Sequence, residues 1–209
     1  MTKRILIICA LALLFGSCAI PANAIFYPRP GLQFGSLADA HSDTNITIGG
    51  AAGLGAMFGR EQRFDVGAEI SHFRYNGKFQ YRYLDEGGNL AWKKVSDTAT
   101  VTPVQAVFRY AFITENKNIR PYLGLSLGFS DLKFNGGPTP PIHIYLTGSF
   151  GGGISYQLDR QTSVMLGYRY FFSEGTESSN PRAYGYYRFQ YNAHVLSISL
   201  NLLLGRLLE

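Results

Sequence analysis

Cysteine is confined to the start of the chain: Cys9 and Cys18 are the only two in 209 residues. A chain processed after residue 24 would keep no thiol, so it would rely on packing and hydrogen bonding rather than disulfides. No HExxH, CxxC or GxSxG pattern occurs, and the common metal and hydrolase signatures are therefore missing. Beyond residue 24 no apolar run approaches the roughly 20 residues of a membrane helix. Charge of one sign is scarce as well. With Lys3 and Arg4 set aside, 17 basic residues stand against 14 acidic ones, and an excess of +3 gives no reason to expect a nucleic-acid partner. Neither cofactor nor metal is called for.

The first 24 residues, MTKRILIICALALLFGSCAIPANA, read as a secretory signal peptide. Lys3 and Arg4 form the positive region, Ile5 to Phe15 the apolar stretch, and Ala22-Asn23-Ala24 a small-x-small site, so cleavage is expected after Ala24. A lipoprotein signal with Cys18 as the lipidated residue is the competing reading. Residues 25–209 then form a single domain.

What fills that domain is alternation with a period of two. Eight strands are expected, at Leu32–Ala38, Asn45–Phe58, Phe64–Tyr75, Thr102–Phe112, Arg120–Lys133, Ile142–Leu158, Thr162–Phe172 and Tyr191–Leu204. One face is oily and large, as in Phe150, Ile154, Tyr156 and Leu158; the other is small or polar, as in Gly151, Gly153, Ser155 and Gln157. Short connectors alternate with long ones. Gly59–Arg63, Ile113–Ile119 and Asp159–Gln161 are short; Asp39–Thr44, Asn76–Val101, Phe134–Pro141 and Ser173–Gln190 are long. An even strand count, short turns at one end and long loops at the other describe an all-β fold: an eight-stranded antiparallel up-and-down transmembrane β-barrel. The oily face meets lipid and the small face fills the interior. Most of the strands are also longer than the 5–6 residues or so usual in soluble proteins.

Aromatics at strand ends fit a membrane–water boundary: Phe58 and Phe112 on the short-turn side, Phe73, Tyr75, Phe129, Tyr170 and Phe172 on the long-loop side. Parity turns Asp65, Glu69, Arg109, Arg120 and Arg169 inward, with Gln105, Tyr122 and Gln157. Glu69 and Arg109 sit on neighbouring strands at similar depth and are expected to pair, with Arg169 joining from strand seven. An eight-stranded barrel is only wide enough for side chains, so these charges read first as a plug of salt bridges. Glycines at 151, 153 and 167 leave room for water, which keeps a narrow porin open as the alternative.

Catalysis is the weakest reading. His194 with Ser197 is its best pair, yet three residues along a strand turn two side chains to opposite faces. His72 beside Ser71 fails in the same way. Between residues 76 and 101, two runs flank Asp85–Asn89, so strands three and four are expected to continue outside the membrane as a hairpin. The last loop closes on RAYGYYRFQY. Its Arg182, Tyr184, Tyr186, Tyr187, Arg188 and Phe189 are candidates for binding, since tyrosine and arginine dominate hot spots. The same residues would serve an outer aromatic belt whose arginines meet lipopolysaccharide phosphates, with Arg74, Lys93, Lys94 and Lys133 making similar headgroup contacts.

PYLGLSLGFSDLKF (Pro121–Phe134), GSFGGGISYQLDRQTSVMLGYRYF (Gly148–Phe171) and AHVLSISLNLLL (Ala193–Leu204) resemble the small outer-membrane β-barrel superfamily, in particular its opacity-type, surface-antigen and OmpA-like members. The resemblance implies a Gram-negative outer membrane and a surface antigen, adhesin, structural protein or small porin, with outer-membrane lipid, lipopolysaccharide and host or envelope proteins as partners. Such barrels usually close on an aromatic residue. GRLLE, with Leu204 and Leu208 as the nearest substitutes, departs from that pattern. The expected function is therefore non-enzymatic and carried by exposed loops.

Overall fold

The computed structural model describes residues 24–37, 42–44, 46–84, 87–116, 118–134, 144–173, 176–179, 186–189 and 192–204. Eight long strands close into a barrel: β1 (Ile25–Leu37), β3 (Thr47–Phe58), β4 (Phe64–Leu84), β5 (Leu90–Ala111), β6 (Ile119–Phe134), β7 (Ile144–Gln157), β8 (Thr162–Ser173) and β11 (Ala193–Leu202). Each pairs with its sequence neighbour, and β1 pairs with both β3 and β11, which closes the ring. Closure leaves the barrel wall no open edge, the condition for burying backbone in lipid. Three short strands lie on the long-loop side. β2 (Ser42–Thr44) adds to β4, while β9 (Thr176–Ser179) pairs with β10 (Tyr186–Phe189) in a separate two-stranded ribbon.

The pleat sorts the side chains as the alternation requires. Ile48, Leu54, Leu123, Leu125, Leu127, Phe150, Leu166, Leu196 and Ile198 all face outward and are exposed. For a soluble protein this would be an untenable apolar surface; for a barrel in lipid it is the solvated face. The 3-10 turn Arg60–Gln62 caps the short-turn end, where Gly59 (φ 82°) allows a bend that side chains disfavour.

Three strands run beyond their expected bounds. β1 begins at Ile25, seven residues before Leu32. Pro28 and Pro30 interrupt the apparent strand pattern, but they lie in the stretch that pairs with β3 alone, before pairing with β11 starts at Gly31. A missing N–H is tolerated where one edge has no partner. β4 and β5 run on past Tyr75 and Thr102 to Leu84 and Leu90, paired residue by residue from Phe73↔Val101 to Leu84↔Leu90, as the hairpin expected there.

Candidate functional site: the barrel interior

Working up from the short-turn end, the interior falls into layers. At the bottom, Ile25, Tyr27 and Leu203 pack together as a small apolar floor. Tyr27 donates a hydrogen bond to Asp65. Arg29 donates through Nη2 to Asp65 Oδ2 (2.7 Å) and Tyr27 Oη (2.6 Å), and through Nε to Asn201 Oδ1 (2.6 Å). Asn201 in turn donates to Ser163 (3.2 Å).

One layer higher, Arg109 bridges the acids, with Nη1 3.3 Å from Asp65 Oδ2 and Nη2 3.1 Å from Glu69 Oε2. Arg169 reaches the other oxygen, Glu69 Oε1, at 2.5 Å, and Gln33 donates to the same atom at 3.2 Å. Three guanidiniums and two carboxylates thus form one connected network across β1, β4, β5 and β8. Every member is mostly shielded, so each charge depends on its partners, because an uncompensated buried charge is expensive.

Above it comes a hydroxyl layer. Ser126 and Ser149 lie 2.6 Å apart, and Ser130 donates to Thr147 at 3.1 Å. The top is apolar: Phe73, Tyr75, Ala99, Val101, Leu132, Tyr145, Phe171, Ala193 and Val195 form one buried cluster. Phe73 packs edge-on to Phe171 (6.2 Å between ring centres) and stacked on Tyr75 (5.9 Å).

Gly49, Gly55 and Gly167 make room for rings, while Gly151 and Gly153 lie against the β8 backbone. A side chain at Gly55 would collide with the Tyr27 ring, one at Gly49 with Phe73, and one at Gly167 with the Tyr122 hydroxyl. Two spaces beside the charged network are small. One cavity beside Glu69, Arg169 and Tyr122 offers about 20 Å³, and another beside Asp65, Arg120 and Gln157 about 40 Å³. At about 10–15 Å³ per water, the first holds one or two waters and the second about three. The first suits such a water, since Gln33 Oε1 and Arg169 Nη1, both on residues lining it, lack partners.

The interior residues expected from parity are distributed as follows. Asp65, Glu69, Arg109 and Arg169 come together. Arg120 does not join them: it lines the short-turn mouth and donates to the carbonyl of Glu61 at 3.1 Å. Arg29, absent from the expected set, is central. Two rings assigned to the outer belt, Phe73 and Tyr75, point inward and are fully buried, as their odd-numbered parity with Asp65 and Glu69 demands. Of the loop candidates, Arg182 and Tyr184 fall outside the described residues. Tyr186, Tyr187, Arg188 and Phe189 form β10, opposite Thr176–Ser179.

No Ser–His pair is assembled by His194 and Ser197. His194 faces outward, its Nδ1 2.6 Å from the Tyr168 hydroxyl, whereas Ser197 donates to the Gly167 carbonyl (3.4 Å) and lines the lumen cavity. Among the described residues no cluster of three metal-ligating side chains occurs.

The family model for the outer membrane protein beta-barrel domain matches residues 8–202. The crystal structure of Neisserial surface protein A superposes with a TM-score of 0.57 at 16% identity, covering 85% of this chain and 96% of that one. OprG from Pseudomonas aeruginosa superposes at 0.53 and 11% identity, covering 86% and 95%. At these identities the likeness is one of fold. No curated protein matches the sequence.

Proposed function

The chain belongs to the outer membrane β-barrel protein family, and within it we propose a closed, non-enzymatic barrel that works at the cell surface through its extracellular loops, in attachment, antigenic display or envelope support. The observation that carries this reading is the filled interior. Below, the buried Asp65 and Glu69 are both tied to arginine; above, Phe73, Tyr75 and Phe171 are each 0% exposed. A charged lumen that conducts needs a continuous wet path, and the upper layer is filled mainly by buried apolar side chains. The name of Neisserial surface protein A agrees with a surface role.

The test is ion conductance of the refolded chain in a planar bilayer. Silent, folded barrels are expected. Steady channels whose size or selectivity changes with Glu69→Ala would replace this reading with a narrow porin. Removal of the leader after Ala24 belongs to the same proposal: β1 starts at Ile25, so the cut would fall at the edge of the barrel. N-terminal sequencing of the envelope form should begin at Ile25, and an acylated Cys18 would show lipoprotein processing instead.

A further inference from the structure

The lumen carries more positive charge than its acids can answer. Arg29, Arg109 and Arg169 share Asp65 and Glu69 between them. Arg120 is a fourth guanidinium, and among the described residues it has no acidic partner; it donates to the carbonyl of Glu61 at 3.1 Å. Four cations thus stand against two anions. We propose that the cavity beside Asp65 and Arg120, at the short-turn mouth, binds a small monocarboxylate, with Arg120 as the cation that holds it. This goes beyond the loop function above and does not depend on it.

Register assembles the donors. Arg120 on β6 lies opposite Ser155 on β7, and one pleat lower Gln157 lies opposite Ser163 on β8. All four line the cavity, together with Tyr122. The Ser155 hydroxyl has no partner among the described residues. Ser163 accepts from Asn201 at 3.2 Å, which leaves its own proton to give. The Tyr122 hydroxyl reaches the Leu166 carbonyl only at 3.5 Å, the outer limit of a hydrogen bond.

These groups select an anion. The acid in the wall, Asp65, already accepts from Tyr27, Arg29 and Arg109, so its oxygens are engaged. What it leaves facing the space is mainly donors. A shielded charge without a counterion is costly, and an anion seated beside Arg120 offsets that cost. The upper cavity differs. Gln33 Oε1 stands unpartnered on its lining, an acceptor that suits water and repels an anion.

Size and lining narrow the class. The space of about 40 Å³, about three waters, admits a carboxylate group with a short tail. Met57, Met165 and Leu203 supply an apolar side for that tail. A dianion such as phosphate is disfavoured, because the Asp65 carboxylate belongs to the same wall. Short turns of outer-membrane barrels face the periplasm, so the ligand enters from there.

The experiment uses the folded barrel in detergent with sodium acetate as the probe, read by saturation-transfer NMR on the acetate methyl protons. Sodium chloride holds the ionic strength constant. Wild type should show saturable millimolar binding that excess chloride does not remove. Arg120→Ala should weaken it at least about tenfold, the worth of one charge-assisted hydrogen bond, and Ser155→Ala about fivefold, that of a neutral one. Arg60→Ala, exposed on the adjacent turn, should bind as wild type does. A signal that never saturates or that fades with chloride would overturn the proposal. So would wild-type affinity in Arg120→Ala or Ser155→Ala, or an equal loss in Arg60→Ala. Inorganic phosphate that displaces acetate at equal concentration, at a mildly alkaline pH where it is a dianion, would overturn the choice of a monocarboxylate. Heat-shifted gel mobility verifies folding, and Ser155→Ala carries the test alone should Arg120→Ala not refold. Neither conductance nor attachment enters this readout, so the two proposals fail separately.

Discussion

The lower and upper halves of the barrel interior are both full, but they are held by opposite chemistry. Below, Arg29, Asp65, Glu69, Arg109 and Arg169 hold one another through directional contacts of 2.5–3.3 Å. Above, Phe73, Tyr75, Val101, Leu132, Tyr145, Phe171 and Val195 exclude water by packing. The lower half is specific and brittle, because each ion needs its partner. The upper half is tolerant, because an apolar neighbour of similar volume can replace another. Glu69 is the sharpest point of the contrast. Glu69→Ala leaves Arg109 and Arg169 facing each other without their shared anion, and should cost about 3–5 kcal/mol. Urea unfolding in lipid vesicles, followed by gel mobility, measures it. A loss below 1 kcal/mol or so would mean that solvent screens the network and that the lumen is wetter than its geometry implies.

Phe73→Ala is the matching cut in the upper half. Removing a buried ring typically costs about 3–5 kcal/mol, and the low end, about 3, is expected here because water from the loop side can enter the gap. Phe73→Leu should recover most of it. No comparable rescue exists below: Glu69→Gln keeps the shape and loses the charge, so it should remain nearly as damaging as alanine. If both conservative variants behave alike, the two halves are not held differently.

A finer cut divides the lower half itself. Arg109 joins Asp65 to Glu69, whereas Arg169 pairs with Glu69 and lies over the Phe171 ring. Three cations serve two anions, so losing Arg169 leaves a balanced set, with Glu69 still held by Arg109 and Gln33. Arg169→Ala should therefore cost about 2 kcal/mol, the worth of one charged hydrogen bond, and Arg109→Ala measurably more under the same urea series.

The lipid face and the strand count were legible in the sequence because a two-residue period is local: residues i and i+2 share a face wherever the strand goes. The lower network was half legible for the same reason. Parity turns Asp65, Glu69, Arg109 and Arg169 inward, but which arginine meets which acid depends on strand order across a closed ring. Arg29 and Asn201 touch although 172 residues separate them. Arg29 escaped notice because Pro28 and Pro30 look like strand breakers, while Tyr27, Arg29 and Gln33 already alternate on one face. Phe73 and Tyr75 show the reverse error. Their parity with Asp65 and Glu69 was visible, and an expectation about belts of aromatic residues overrode it.

The smallest effect should come from the loops, and it separates scaffold from function. Replacing residues 176–189 with a short Gly-Ser linker removes β9 and β10, which among the described residues pair with each other, with β10 also lying against β4. The barrel strands that flank this loop, β8 and β11, keep their own register from Thr162↔Leu202 to Phe171↔Ala193. A shorter connection also costs less to close, by about 0.6 kcal/mol for each halving of length. Stability should thus stay within about 0.5 kcal/mol of wild type or rise slightly, while surface attachment, measured as adhesion of cells displaying the protein, should fall. A large loss of stability would place the last loop among the elements that hold the barrel. Unchanged adhesion would move the function to the β4–β5 hairpin, the other structure that rises clear of the membrane.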